Sequence, residues 1–496
     1  MKRIIIAVLA FAFFQHHLSS QTISDALRVS TLDAGSSTAR SLGVGGAIGA
    51  LGADFSVSSS NPAGLANFRK SQFVISPQFS SNKTNALLSG DAGNVAYREG
   101  LNKINFGSIG LLINANRPDE KWTSLSFGIG LNRLANFNQE ITYTGKSEGT
   151  IANRFLELTQ GLTSDEMDQF EGLLAYNTGV VFDKNPNDLI TAYTTDFAGY
   201  PDTKIIKNQN INTKGYNNEL VFSLAGNYKE KLLIGATIGV PFVRYSETKI
   251  YGEKDYVPDS IKYFNSLTFT ENLNITGAGF NAKVGAIYNV NHNVRLGLAF
   301  HSPTIISFTD NYSNKLVYDY TAENNDGPVS AESPEGSFAY SISTPWRALG
   351  SASYLFNKYG FISSEIEYVD YGAARFDFKN ADLDAKAYEA SLNTSIKEKY
   401  KSGVNFKLGA EAAFEMLRLR GGIGFIATPY KNDHQYSKVY SLGAGINGKN
   451  MFFDFAYQTQ KINEGFEPYT TANAVKQQVE TTFKTNIFLA TLGFKF

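Results

Sequence analysis

The strongest constraint on this chain is an alternation of apolar with small or polar side chains, of period two, that recurs from about Ser71 to Phe496. In Thr123-Leu125-Phe127-Ile129-Leu131 one face is almost wholly apolar, while Ser124, Ser126, Gly128, Gly130 and Asn132 fill the other. Successive Cβ atoms of a strand point to opposite faces, so the two sets do not mix. The split returns in Leu232-Ile234-Ala236-Ile238-Val240 against Gly235, Thr237 and Gly239, and in Val294-Leu296-Leu298-Phe300 against Arg295, Gly297 and His301. A soluble β-sandwich alternates too, so the connections must decide between the two architectures.

Turn signals place strands near 71–82, 103–116, 121–144, 214–228, 231–250, 262–290, 293–312, 334–356, 360–378, 401–413, 416–429, 435–447, 450–461 and 479–496. That is about fourteen, an even number, as closed outer-membrane barrels require. Short turns at 116–120, 229–230, 291–292, 357–359 and 447–450 alternate with long polar connections near 83–102, 145–213, 313–333, 379–400 and 462–478. Tight turns at one end and long loops at the other are a barrel's pattern, and a sandwich has no reason to sort its loops this way. The expected fold is an all-β transmembrane antiparallel barrel, 71–496.

Composition agrees. The chain has 496 residues, with 44 Gly, 27 Tyr and 37 Phe beside only 4 Met. Such enrichment suits strands with one lipid face and one wet face. A net charge of −1 gives no steering toward nucleic acid, and the absence of cysteine excludes a disulfide framework. Met1-Lys2-Arg3, the apolar run Ile4 to Phe14 and the small residues before Gln21 read as a secretory signal peptide, 1–20, too short to span a bilayer. At the other end Phe488, Leu492, Phe494 and Phe496 share one face, an aromatic phase resembling the signal read by the barrel assembly machinery.

The connection 145–213 exceeds ordinary loop length and is expected to carry structure. Thr163 and Glu166 form a capping box ahead of Met167, Phe170, Leu173 and Leu174, which predicts a short amphipathic helix, with another around 152–158.

Between the leader and the first strand stand Ala39-Arg40-Ser41-Leu42-Gly43-Val44-Gly45-Gly46-Ala47, then Asp54, then Asn61-Pro62-Ala63-Gly64-Leu65. Ahead of a barrel of about fourteen strands, and with Phe300-His301-Ser302-Pro303 further on, this resembles the FadL/TodX family of outer-membrane transporters for long-chain fatty acids and other hydrophobic molecules. The resemblance implies that 21–70 is a hatch folded inside the lumen, with Gly45, Gly46, Gly49, Gly52, Asp54, Asn61, Pro62 and Ala63 as its gating residues. Glycines would let that backbone approach the wall and adopt positive φ, and lumen side chains or water would satisfy its polar groups. A membrane dimerisation helix is the competing reading of the glycine spacing, but Asp54, Asn61 and Pro62 in one short span oppose it.

The resemblance also implies passive uptake. A hydrophobic small molecule or fatty acid is captured on the outer loops, where Phe155, Phe170, Tyr176 and Tyr193 are candidates. It is held above the hatch and released sideways into outer-membrane lipid through a kink, usually in the third strand. Here the third strand has Gly128 and Gly130 but no proline, whereas Pro77, Pro241, Pro303 and Pro345 lie within strands and mark bulges or openings. By parity Arg295, Glu365, Glu367, Lys407, Glu411, Arg418, Arg420 and Asp454 face the lumen, either as cross-strand pairs anchoring the hatch or as a solvated wall.

Two other functions compete. One is an interaction protein of the same fold that binds protein cargo for a secretion machinery. The other is an outer-membrane hydrolase, for which His301 beside Ser302 is the tempting pair; adjacent strand residues face opposite ways and cannot act as base and nucleophile. No phosphate loop and no metal-ligand spacing occur, so no cofactor, metal or enzymatic activity is expected, and the chain is expected to work as a monomer.

Overall fold

The computed structural model describes residues 22–31, 37–117, 120–184, 192–257, 260–321, 327–379 and 381–496. The expected signal peptide lies outside them. Fourteen antiparallel strands close into one barrel. They are β1 (Gln72–Leu88), β2 (Tyr97–Asn116), β3 (Trp122–Asn136 and Gln139–Ser147), β4 (Ile205–Tyr228), β5 (Leu232–Lys254), β6 (Phe264–Asn289) and β7 (Val294–His301 and Ile305–Tyr320). The circle continues with β8 (Gly336–Ser343 and Arg347–Leu355), β9 (Gly360–Asp370 and Arg375–Asp377), β10 (Ser402–Phe414), β11 (Leu417–Ala427), β12 (Tyr436–Asn447), β13 (Met451–Phe466) and β14 (Val479–Lys495). Each pairs with its sequence neighbour, and β14 returns to β1 with Lys495 opposite Gln72.

Every span expected from the alternation holds a strand; the differences lie at the ends. The loop expected at 83–102 shrinks to 89–96, because β1 and β2 run on beyond their apolar stretches. β4, β5 and β6 contain 24, 23 and 26 residues. At about 3.3 Å per residue and a tilt of about 40°, 24 residues rise roughly 60 Å, about twice the apolar band of a membrane. The excess stands outside the bilayer at the long-loop end.

The wall is apolar outward and polar inward. Leu125 and Phe127 are 41% and 40% exposed, while Ser124 and Ser126, which alternate with them, are buried. That inverts the usual distribution of a soluble protein, and lipid on the outer face accounts for it. The short turns close tightly: Lys229 and Glu230 have φ of 52° and 59°, and Lys231 N–H donates to Tyr228 C=O at 3.0 Å. Two successive positive φ values define the hairpin turn whose twist matches the strands it joins.

Among the described residues five α-helices decorate the barrel: α1 (Ile23–Ser30) and α2 (Ala39–Gly43) before it, α3 (Ala152–Thr159) and α4 (Gly172–Thr178) in the connection 148–204, and α5 (Leu383–Lys399) between β9 and β10. No helix among the described residues is long and apolar enough to cross a membrane. α3 falls where expected. The helix expected from Thr163 does not form: Glu166 accepts from Thr163 N–H and Oγ1 at 2.9 Å, but the chain makes only a turn there. Asp168 takes the N–H groups of Phe170, Glu171 and Gly172, so α4 begins nine residues after Thr163. Asp168, not Thr163, supplies the side-chain acceptor for the N–H groups at the start of the helix that forms.

Candidate functional site

Residues 37–70 occupy the lumen, and nearly all of 37–66 are buried. Two 3₁₀ turns shape this segment. Asp54 caps Phe55–Ser59, accepting from Ser56 N–H at 3.0 Å, Ser56 Oγ at 2.6 Å and Thr38 Oγ1 at 2.7 Å. Asn61 caps Pro62–Asn67: its Oδ1 accepts from Ala63 N–H at 3.2 Å, while its Nδ2 donates to Gly49 C=O at 2.7 Å. Pro62 supplies the first position, where a missing N–H costs nothing. Gly45, Gly46 and Gly52 hold φ of 65°, 78° and 67°, which a side chain would strain.

The wall meets this segment with glycines of its own. Gly235 and Gly285 face each other across β5 and β6, and a Cβ on either would collide with Asn61 or Pro62. Gly409 and Gly422 pair across β10 and β11 under Val44 and Gly45. Gly110 and Gly130 pair across β2 and β3 under the Phe55 ring. These cross-strand pairs are dimples in a ladder otherwise intact. The alternation put Gly130 and Gly235 on the wet face without revealing that each is matched to a residue of the segment.

Charged groups fix the segment in place. Glu365 accepts Gly49 N–H at 3.0 Å and pairs with Lys407 at 3.2 Å. Arg295 donates to Leu51 C=O at 3.1 Å. Arg347 bridges Glu367, at 2.7 Å, to the Ser30 carbonyl. Arg420 joins Glu411 at 2.7 Å and Asp454 at 2.6 Å, and Arg418 stands 3.7 Å from Glu411. Of the lumen charges named from parity, all but Arg295 come together in pairs across strands, and Arg295 meets only hatch backbone. Glu219, Lys283, Arg347 and His301 were not among those named. Glu219 accepts from Ser59 Oγ at 2.8 Å and pairs with Lys283. His301 Nε2 meets Ser60 C=O at 2.6 Å, so it serves as a tether, and its neighbour Ser302 accepts from Ala282 N–H at 2.9 Å on the other side. Below the segment, toward the short turns, a cavity of about 460 Å³ is lined by Asp54, Phe55, Arg418 and Arg420 among others.

Beside the segment the wall is open. β2 and β3 pair from Asn116 opposite Ser124 up to Ser108 opposite Asn132, and no further. At that level Gly107 is a bulge: Ser76 faces Ser108, Pro77 faces Phe106, and Gly107 has no partner. A Cβ there would lie 2.5 Å from Ser37 C=O. β3 breaks just above, at Phe137 and Asn138, and its upper arm turns inward to pair with β4 alone. Ile141 and Tyr143 of that arm pack on Ala86 and Leu88 of β1 and Val479 of β14. Asn82 holds the bend by donating to Asn138 C=O at 2.6 Å, and Asn94 clasps Lys146 at the top through bonds of 2.7 and 2.9 Å. The upper edge of β2 thus lacks its β3 partner between two closed ends, which makes a window. A barrel strand in lipid normally leaves no such edge. The third strand carries the break without a proline. Pro303 and Pro345 mark breaks in β7 and β8, and Pro241 a gap in the β5–β6 ladder.

Behind the window lies a cavity of about 210 Å³ lined by Ser37, Gln78, Arg133, Asn136, Gln458 and Gln460 among others. Arg133 borders it. Its Nε donates to Phe106 C=O at 2.9 Å, on the unpaired edge of β2, and its guanidinium lies 5.0 Å from the Phe106 ring and 5.6 Å from that of Tyr216.

The loop aromatics take different positions. Phe155 is fully buried and Tyr193 nearly so, in the apolar core that joins α3 and α4 to β6 and β7. Phe170 packs on Tyr312 with ring centres 4.9 Å apart, and Tyr176 is 39% exposed beside Tyr193. Inward from them, α1 buries Ala26 and Val29 among Tyr245, Phe308, Tyr340 and Phe376 of the upper wall.

A closed fourteen-strand antiparallel barrel of this form is the fold of the FadL-type outer-membrane channels. Against solved structures, the chain superposes on a Pseudomonas aeruginosa FadL homologue with a TM-score of 0.54 and 13% identity, over 92% of this chain and 98% of the other. The Ralstonia pickettii toluene transporter TbuX gives 0.50 and 14% over 92% and 98%, and the Pseudomonas putida toluene transporter TodX gives 0.50 and 11% over 93% and 98%. No family model matches the sequence, and no curated protein matches it. The fold expected from the N-terminal motif is the one found.

Proposed function

We infer that the protein is an outer-membrane channel through which hydrophobic small molecules enter passively, with 21–70 as its hatch. The observation that carries this reading is the unpaired upper edge of β2 beside the break in β3, with a lumen cavity behind it. Apolar molecules reach the outer loops, pass to the lumen above the hatch, and leave sideways into lipid, so they need not cross the polar lower vestibule. The neighbours support the chemistry: two are described as toluene transporters. The hatch glycines and Asn61 seat the segment, and the Glu365, Arg347 and Arg420 clusters tether it while leaving the barrel ladder independent. The protein acts as a monomer inserted by the barrel assembly machinery.

The test is uptake. Cells expressing the chain in a host without its own hydrophobic-compound channel should accumulate a fluorescent long-chain acid, or a labelled aromatic hydrocarbon, faster than cells with an empty vector. Equal rates for both probes, at verified surface levels, would refute the reading. Stoichiometric co-purification of a secreted polypeptide would instead favour the cargo-binding role.

A further inference from the structure

We propose that Arg133 receives the acidic headgroup of the molecule in transit, so that this channel selects anionic amphiphiles over neutral hydrocarbons; this rests on the transport reading above. A guanidinium carries five N–H donors and cannot be neutralised. Two of them are accounted for, Nε on Phe106 C=O at 2.9 Å and Nη1 near Asn105 Oδ1 at 3.4 Å. No carboxylate pairs with it among the described residues. Arg347 and Arg420 of the wall each meet a carboxylate, and Arg295, which meets none, donates instead to Leu51 C=O of the hatch at 3.1 Å. A half-buried cation between two rings, with donors to spare, is a built receptor for an anion.

The surroundings divide in the same sense. Inside the window the cavity carries amides, from Gln78, Asn136, Gln458 and Gln460, which hydrogen-bond a headgroup, beside Leu134, Ala135 and Ile487, which suit the first carbons of a tail. Outside it, Ile104 is 82% exposed and Ile109 37% exposed on the lipid face of β2. A single-chain acid would keep its carboxylate on Arg133 while its tail crossed the window into the bilayer. A neutral hydrocarbon would leave the cation and the amides unmatched.

The same chemistry could come from a membrane lipid's phosphate, so the experiment carries three ligands. Purified protein in zwitterionic micelles is titrated with a long-chain fatty acid, its methyl ester and an alkyl phosphate of equal length, for the wild type, R133Q and R133K. The expected result is a wild-type preference for acid over ester of about tenfold or more, the size of one hydrogen bond to a charged group. That preference should collapse toward one in R133Q and be partly restored in R133K. Parallel loss of acid and ester binding in R133Q would mean that Arg133 only covers the open edge of β2, and would overturn the proposal. So would Arg133-dependent binding of the phosphate without the acid, which assigns the site to lipid headgroups. Failure of the wild type to bind any of the three refutes the transport reading itself.

Discussion

Replacing Asn61 by leucine should unseat the hatch and leave the barrel standing. Asn61 is 1% exposed and makes two good bonds, to Gly49 C=O at 2.7 Å and from Ala63 N–H at 3.2 Å, with a longer approach to Ala286 C=O at 3.4 Å. Leucine has nearly the same volume and neither donor nor acceptor. Two buried backbone groups then lose their partners, at about 1 to 3 kcal/mol each. The wall cannot compensate, because Gly285 lies against Asn61 Oδ1 and its strand is fixed by the ladders to β5 and β7. A shift of about 3 kcal/mol changes the ratio of seated to unseated hatch by roughly a hundredfold or more. Asn61→Asp keeps the acceptor for Ala63 and loses the donor to Gly49, so it should fall between. Ionic conductance in planar bilayers and hydrogen exchange of the 45–67 amides report the hatch; heat-resistant migration on a gel reports the barrel. Wild-type conductance and protection in Asn61→Leu would refute the argument that this side chain seats the segment.

Three further outcomes follow from the same packing. Gly285→Leu should release the hatch as Asn61→Leu does, whereas Gly421→Ala, where a Cβ meets nothing within 4 Å, should change neither conductance nor barrel stability. Lys407→Met should destabilise the folded protein by about 3 to 5 kcal/mol, since Glu365 is left buried and unpaired, and adding Glu365→Gln should recover much of that in denaturant melts. At the short-turn end, Arg69 donates to Glu230 at 2.6 and 2.9 Å and holds its carboxyl near a pKa of about 2, with Thr123 assisting. A lowered carboxylate stabilises above its ordinary value of 4.5 and loses that contribution as pH falls toward 2. The pair is half-exposed, so Glu230→Gln should cost no more than about 1 kcal/mol at pH 7 and remove the difference between variants below pH 2.

What the sequence made legible was the part of the fold that is local and periodic. Leu125 and Phe127 face lipid and Ser124 and Ser126 face the lumen because parity leaves them no other choice, and the same rule placed Glu365, Arg420 and Asp454 inside. The window escaped for a physical reason. Ala135-Asn136-Phe137-Asn138-Gln139 contains no proline and reads as strand, yet the strand breaks there. The cause is distant: Ile141 and Tyr143 find apolar partners on β1 and β14, and Gly107 bulges on the neighbouring strand. Gly130 and Gly235 were visible as wet-face residues, but the pairing of wall glycines across strands depends on register, which the alternation does not specify beyond its phase. Arg133 sits on an apolar-alternating strand beside that break, and only the loss of pairing above Asn132 turns it toward a cavity.

The central claim, that molecules leave through the window, is tested most directly by closing it. The chain has no cysteine, so Lys103→Cys on β2 and Asn136→Cys on β3 would be the only thiols in the protein. A short, reducible bis-maleimide-type linker can then bridge the gap in intact cells. Uptake of a fluorescent fatty acid should fall to the empty-vector rate when the bridge forms and return when it is cleaved, while the linker leaves the rate of each single-cysteine protein as it was before treatment. Undiminished uptake across a quantitatively bridged window would contradict the account and send the ligand down through the hatch instead.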